Sequence, residues 1–291
     1  MNRQVTGHVA DQAERNAGML IAGVEPGAPR KPRRTLPVQQ FLGLAGILGF
    51  LLTWELVPRA GIIEARFLPP ASDVLGALLR ASGLTAFWVS VGETMLAWFL
   101  GLLIAVIAAV VLGFLIGSSA FLARATGSTV EFLRPIPSVA LIPLAVLMFG
   151  VKIESSLMLI IYASFWQVFI QVLYGVADID MVANNTAKSY GLGRMARIRY
   201  VVFPTALPYL MTGVRLAAAV ALILAITAEL IIGSPGLGRE IALAQSGGAI
   251  SGMYALVLAT GLIGVLINVL MRFIEKKALS WHSSVRSEVI V

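Results

Sequence analysis

The side chains that could do chemistry in this sequence are few. The 291 residues include no cysteine, and the two histidines, His8 and His282, lie in polar terminal segments. Thiol chemistry, disulfide frameworks and metal sites built from cysteine or histidine are therefore excluded. Asp178 and Asp180 are too sparse for a metal site and are better interpreted as the start of a helix. We expect no metal in this chain.

Enzymatic patterns are missing as well. A built-in ATPase would need the pattern G-x-x-x-x-G-K-[ST], which does not occur. The segment from Gly191 to Ala196 matches G-x-G-x-x-A, but no strand precedes it and no room exists for a βαβ unit. Intramembrane serine proteolysis would need a histidine within the apolar stretches, and none is there. The sequence thus indicates no catalytic residue and no cofactor of its own.

The composition indicates a membrane protein. Hydrophobic residues make up 58% of the chain and charged residues 13%, with a mean hydropathy of +0.88. Soluble domains are roughly 45–50% apolar and about 25% charged. One soluble core could not bury this much apolar surface, whereas a bilayer can.

Six apolar stretches are long enough to cross the hydrocarbon, which takes about 20 residues of helix. The third stretch contains Pro135, Pro137 and Pro143. Each proline removes a backbone donor and bends a helix, so we expect this stretch inside the bundle, where neighbours satisfy the freed carbonyl groups. The predicted spans lie near residues 36–57, 94–117, 130–150, 155–176, 207–232 and 254–273.

Basic residues are concentrated on one side of these spans. With the N-terminus inside, the inner segments are the tail through Arg34, residues 118–134, residues 177–206 and the tail from Arg272, and they hold most of the lysines and arginines. Both termini are therefore predicted to be cytoplasmic. This placement accounts for the net charge of +7 without a nucleic-acid partner.

The spans divide the chain into three parts. Residues 1–35 are predicted to be a disordered cytoplasmic tail, residues 36–280 a transmembrane domain, and residues 281–291 a second cytoplasmic tail. The outer segment 58–93 is expected to contain a short interfacial helix at 72–81. No soluble domain of useful size is predicted.

The inner loop 177–206 holds the most informative motif. The letters N-T-A at 185–187 are followed after three residues by Gly191, and V-V-F-P stands at 201–204. This spacing resembles the signature loop of binding-protein-dependent ABC importer permeases, in which E-A-A, three residues, G, nine residues and I-x-L-P recur. The departures are the asparagine in place of the usual acid and the threonine in place of the usual first alanine.

In that family the loop forms a coupling helix that docks on the ATP-binding subunit. Residues 181–190 can form a short helix that ends at Gly191 in a left-handed conformation, and Pro204 is expected to prevent helix from continuing backward through its position. The coupling residues that the resemblance implies are Asn185, Thr186, Ala187, Gly191, Arg194 and Pro204.

The side chains of this loop suggest how it meets a partner. Ala187 is small enough to let the helix sit deep in a partner's groove. Arg194, Arg197 and Arg199 are expected to face acidic protein surface or lipid headgroups.

Three further stretches, at 134–144, 67–75 and 228–238, resemble the nitrate, sulfonate and taurine permease group. The likeness covers about residues 40–280. It implies an all-α polytopic membrane protein with the type I ABC importer permease fold and six transmembrane helices. The implied partners are a second permease copy or paralogue, cytoplasmic ATPases that hold ATP and magnesium, and an external solute-binding protein. The implied solute is a small, anionic sulfonate, taurine, nitrate or similar molecule.

Polar groups within the spans are candidates for the translocation path or for gating. Gln167 and Gln171, beside Trp166, lie on one face of the fourth span, and hydrogen bonding between helices explains them equally well. Arg215 and Glu229 in the fifth span are about 21 Å apart along a helix and cannot pair. A carboxylate in the path would repel an anion, so Glu229 is predicted to be structural or gating.

Two other classes of protein remain as alternatives. An ion- or proton-driven secondary transporter would have ionisable groups near the midplane and inverted repeats, whereas the spans here are nearly free of charge. A membrane scaffold would have no ATPase partner. The sequence favours a passive permease subunit in the cell membrane, with ATP hydrolysis on another chain.

Overall fold

The computed structural model describes residues 38–280, except for the side chains of residues 38–41 and Arg194. The predicted tails 1–35 and 281–291, and with them both histidines, lie outside the described residues. The described part of the chain is helical and contains no strand, as predicted. Its helices are α1 (Val38–Arg59), α2 (Ala71–Ser82), α3 (Thr85–Gly117), α4 (Ala120–Leu133), α5 (Ile142–Phe149), α6 (Ile153–Ala177), α7 (Met181–Ser189), α8 (Arg194–Arg197), α9 (Phe203–Ile232), α10 (Leu237–Ser246) and α11 (Ile250–Ala278), with a 3₁₀ turn at Ser138–Leu141 and π-helical winding at Ile198–Val202.

Five helical segments are long and apolar enough to cross a membrane: α1, α3, α6, α9 with an extension that begins at Met195, and α11. The segments α4 and Ser138–Phe149 pass the same test together and would make a sixth span if they are counted as one. The helix α3 begins at Thr85 rather than near residue 94, because Glu93 lies within the helix and does not interrupt it. The length of the charge-free stretch alone therefore underestimates the length of α3.

The third predicted span is broken. The chain bends by 81° between α4 and the segment Ser138–Phe149, and Pro135 and Pro137 lie in the break. Pro143 causes no bend, because it stands in the first turn of α5, where a missing N–H removes no intrahelical bond. The placement of this span inside the bundle stays a prediction for α4, which has no buried residue in the single chain. In α5, only Ala145 is buried.

Small residues bring α3, α6 and α9 together into the core. A Cβ on Gly113 would press into the side chain of Val172, and one on Gly117 would meet Val176. These two glycines therefore let the backbones of α3 and α6 approach closely. On α9, the facing positions are short as well: Ala217, Ala218, Ala221, Ala225 and Ala228 are all buried.

The helix α1 is divided between two compact units. The first unit ends at Leu52, and the second begins at Thr53. Within the second unit, the Glu55 carboxylate accepts hydrogen bonds from the backbone N–H and hydroxyl of Ser72 at 2.9 Å each. An acid at this position satisfies a free N–H group in the first turn of α2. The short helix expected at 72–81 is present as α2, and its place at a membrane surface stays a prediction.

Candidate coupling loop and translocation path

The short helix predicted at residues 181–190 is present as α7. Its start is fixed by Asp180, whose side chain accepts the Val182 N–H at 2.7 Å, which confirms that this acid begins a helix. Its end is fixed by Gly191, which has a φ of +75°. The Leu192 N–H then donates to the Ala187 carbonyl at 3.0 Å. Both the helix and the left-handed glycine predicted from the sequence are confirmed.

The exposed face of α7 differs from the one that the motif suggested. Ala187 is only 8% exposed and packs inside its own chain, so the idea that it enters a partner's groove is wrong. Asn185, Thr186 and Gly191 are exposed. Large apolar side chains around them are between 72% and 82% exposed: Met181, Val182, Tyr190 and Met195. We call these four residues the apolar face of the loop.

The helical winding continues backward past Pro204, contrary to the expectation. A span of 38 residues runs from Met195 to Ile232, because the winding changes to π-helical at Ile198–Val202. The Phe203 N–H bonds to the Ile198 carbonyl, and Pro204 follows in the first turn of α9. The wider turn accommodates a residue that has no N–H to donate.

The three arginines of the loop do not share one environment. Arg199 is exposed, and Arg194 begins α8 with a side chain outside the described residues. Arg197 is half-buried and turns inward, where its Nη1 donates to Asn184 Oδ1 at 3.1 Å. It lines a cavity of about 330 Å³ at the ends of α3 and α6. The expectation of an outward-facing Arg197 is therefore wrong.

The polar residues of α6 differ in burial. Trp166 is half-buried among Tyr162, Phe165 and Phe169 and lines an apolar cavity of about 710 Å³ between α4 and α6. Gln171 is half-buried, and its Cβ lies close to Gly213 on α9, where a Cβ would be 3.0 Å away. By contrast, Gln167 is exposed. The two glutamines lie four residues apart on one uninterrupted helix and share a face, as predicted, but they differ in burial.

Arg215 and Glu229 do not pair with each other, as predicted. Arg215 Nη1 donates to Glu275 Oε2 on α11 at 3.2 Å, and the two side chains are 46% and 22% exposed. No local sequence pattern indicated this partner, because Glu275 lies 60 residues away.

Glu229 is the centre of a buried polar cluster. It is 0% exposed, and its Oε2 accepts the Thr94 hydroxyl and the Gly238 N–H at 2.9 Å each. The Leu237 N–H donates to Thr94 Oγ1 at 2.9 Å. A Cβ on Gly236 or Gly238 would overlap the Glu229 side chain. We call Thr94, Glu229, Gly236, Leu237 and Gly238 the glutamate clasp; it joins α3, α9 and α10.

Sequence comparison identifies relatives of this chain. Residues 101–280 match the family described as "Binding-protein-dependent transport system inner membrane component". The taurine transport system permease protein TauC of Escherichia coli K12 is 30% identical over 247 residues, which cover 83% of this chain and 90% of that protein. The nitrate import permease protein NrtB of Leptolyngbya laminosa is 28% identical over 249 residues, or 84% and 88%. The bicarbonate transport system permease protein CmpB of Synechococcus elongatus is 28% identical over 267 residues, or 87% and 94%.

Solved structures show the same fold. A chain of the inward-facing MetNI methionine ABC transporter superposes with a TM-score of 0.56 at 18% identity, over 66% of this chain and 96% of that one. A chain of an amino acid ABC transporter with histidines gives a TM-score of 0.55 at 19% identity, over 66% and 94%. The fold is thus that of type I ABC importer permeases.

Fold and motif define a multi-pass membrane protein of the ABC importer permease class. The chain belongs to the binding-protein-dependent transport system inner membrane component family, in the group of the nitrate, sulfonate and taurine permeases. It is a permease subunit, and in such importers ATP is hydrolysed on a separate ATP-binding subunit. Membership in this family excludes the two alternatives, an ion-driven secondary transporter and a membrane scaffold.

Proposed function

We propose that this chain forms the translocation path for a small anion that an external solute-binding protein delivers. The observation that supports it is the burial of Glu229 in the glutamate clasp. The other residues of α9 between Thr212 and Leu230 include no acid, so an anion meets no carboxylate along the exposed face of this helix. The named relatives transport taurine, nitrate and bicarbonate, all of which contain a small anionic oxygen group.

A carboxylate added to α9 tests the charge of the solute. Ile223 is an exposed side chain on α9, and Ile223→Glu places a negative charge there, whereas Ile223→Gln has nearly the same size without the charge. We expect Ile223→Glu to lower uptake of the transported anion at least about tenfold relative to Ile223→Gln, through charge repulsion. The measurement is uptake of labelled taurine, nitrate and bicarbonate by the assembled importer in proteoliposomes. Equal uptake by the two variants, or uptake of a cation only, would contradict the proposal.

The apolar face of the loop is proposed to dock on the ATP-binding subunit, which holds ATP and magnesium. Exposed apolar patches mark interaction surfaces, and this one surrounds the motif that has this role in the family. Val182→Asp and Tyr190→Asp are expected to abolish copurification with a co-expressed ATP-binding subunit. Leu79→Asp, at an equally exposed apolar position on α2, is the matched control and should leave copurification intact.

The remaining partners and the orientation belong to the same proposal. We propose a second permease copy or paralogue, a location in the bacterial inner membrane, and cytoplasmic termini. The chain has no cysteine, so single cysteines report sidedness cleanly. A membrane-impermeant thiol reagent added to intact cells should label Ala65→Cys but not Ser189→Cys. The reverse pattern would overturn the orientation.

A further inference from the structure

The helix α7 is joined to the rest of the chain by few side chains. Ala187 is its only buried residue, and a cavity of about 330 Å³ lies between α7 and the ends of α3 and α6. Among the side chains that the structure describes, one hydrogen bond connects α7 with another helix. It is the bond from Arg197 Nη1 to Asn184 Oδ1, 3.1 Å long.

Arg197 belongs to the helical extension of α9. The winding is continuous from Met195 to Ile232, and α9 packs closely on α6, since a Cβ on Gly175 would press against Ala206. A displacement of α7 that pulls on the guanidinium therefore acts on the end of a long helix of the core.

We propose that the hydrogen bond between Arg197 and Asn184 is the link that transmits movement of α7 to α9. The inference rests on the proposed docking of α7 on the ATP-binding subunit. The turn between the two helices is short, and the bond between Arg197 and Asn184 is the side-chain link across it. A planar guanidinium that bridges this turn makes α7 and α9 move together. Arg197 and Asn184 are thus positioning residues for energy coupling.

A second donor on Arg197 supports a switching role. Its Nε is buried and has no acceptor among the described residues. A buried donor without a partner raises the free energy of this arrangement. The guanidinium therefore gains a hydrogen bond if movement of the loop brings an acceptor to it. Ser118, at the end of α3, lines the same cavity, and its hydroxyl oxygen is able to accept a hydrogen bond. Alternative arrangements of this kind are what a two-state element requires.

The experiment removes either partner of the bond in the full importer. Arg197→Met retains the apolar stem without the donors, and Asn184→Ala removes the acceptor. Asn184→Asp retains an acceptor and is the conservative variant. Arg272→Met, at an exposed position on α11, is the control for loss of a positive charge. The readout is solute transported per ATP hydrolysed in proteoliposomes that contain the ATP-binding subunit and the solute-binding protein.

We expect Arg197→Met and Asn184→Ala each to lower transport per ATP at least about tenfold, as the loss of one hydrogen bond to a charged group suggests. The double variant should lose no more than either single variant, while Asn184→Asp and Arg272→Met remain close to the unmodified protein. Unchanged transport per ATP, additive losses, or failure of Asn184→Ala to assemble would each overturn the proposal. If only Arg197→Met misfolds, the comparison of Asn184→Ala with Asn184→Asp tests the proposal.

Failure of this inference is distinguishable from failure of the docking proposal. If α7 does not dock, Val182→Asp and Tyr190→Asp leave copurification intact. If α7 docks but the hydrogen bond does not transmit movement, Val182→Asp and Tyr190→Asp abolish copurification. In that case Arg197→Met and Asn184→Ala transport as much solute per ATP as the unmodified protein.

Discussion

The two ends of the core formed by α3, α6 and α9 are built in opposite ways. At the α10 end, the glutamate clasp buries a carboxylate whose Oε2 accepts hydrogen bonds from α3 and α10, while its Oε1 has no partner among the described residues. Ser156 and Ser234 add a further buried hydrogen bond of 2.7 Å there. At the α7 end, a cavity separates the loop from the bundle, and the apolar face of the loop is exposed.

This difference indicates that the α10 end of the core is closed within the chain, whereas the α7 end is open to contact with a partner. Three buried hydrogen bonds tie α9 and α10 to α3 in the clasp, so the α9–α10 connection is expected to move as one body with α3. An exposed apolar surface next to a cavity is suited to be covered by another protein. Movement would then enter the chain at α7 and travel along α9 toward the clasp.

The largest expected effect comes from filling the space beside the buried carboxylate. Gly236 has a φ of +145°, and an added Cβ would overlap Glu229. Gly236→Ala is expected to destabilise the protein by about 3 kcal/mol or more, from overpacking and backbone strain together. The matched control is Gly248→Ala, with a φ of +71° and no neighbour within 4 Å, which should cost about 1–2 kcal/mol. Thermal unfolding of the purified importer measures both, and equal losses would show that the α10 end is not tightly packed.

The next largest effect concerns the α7 end. A β-branched residue resists the φ of +75° at Gly191, so Gly191→Val should abolish solute-stimulated ATP hydrolysis. Gly193→Val is the control, because Gly193 has an ordinary φ and no neighbour within 4 Å of an added Cβ. ATPase assays of the assembled importer compare the two. Normal stimulation in Gly191→Val would show that the left-handed turn does not position α7.

A smaller effect is expected when the clasp is weakened but not overfilled. Glu229→Gln retains one oxygen, which can accept from both Thr94 and Gly238 as Oε2 does, and replaces the carboxyl group by an amide. We expect maximal uptake or assembly to fall about threefold to tenfold, as the loss of a charge-assisted hydrogen bond suggests, with nearly unchanged apparent affinity for solute. Uptake as a function of solute concentration measures both quantities. A large change in affinity with normal assembly would place Glu229 in the translocation path.

Local sequence signals predicted the α7 end well. A capping acid, a helix of nine residues and a glycine at its end are determined by neighbours in the chain, so Asp180, α7 and Gly191 could be assigned before the structure. The direction in which side chains point was not predictable in the same way. Whether Ala187 and Arg197 face the bundle or a partner depends on how α7 lies against α3 and α6.

Long-range polar contacts were missed for the same reason. Thr94 and Glu229 are 135 residues apart, and no pattern in the sequence connects them. The nearest available signal was the pair Gly236 and Gly238, since glycines close to an apparently isolated acid can indicate that backbone approaches its side chain. Likewise, the π-helical winding before Pro204 depends on an adjustment of the backbone that residue propensities do not specify.

The smallest expected effect is at the ion pair of Arg215 and Glu275, which tests whether the α7 end contains a second strong link. Both side chains remain partly exposed, and exposed ion pairs contribute roughly 0–1 kcal/mol. Arg215→Gln and Glu275→Gln should therefore each lower stability by less than about 1 kcal/mol, and raising the salt concentration should reduce the difference further. Thermal unfolding at low and high salt measures this. A loss as large as that of Gly236→Ala would mean that the pair is shielded from water in the assembled importer, and the two ends of the core would then be equally constrained. A loss of anion uptake in Arg215→Gln without a change in stability would instead assign Arg215 to the path, because its positive charge would then act on the solute rather than on α11.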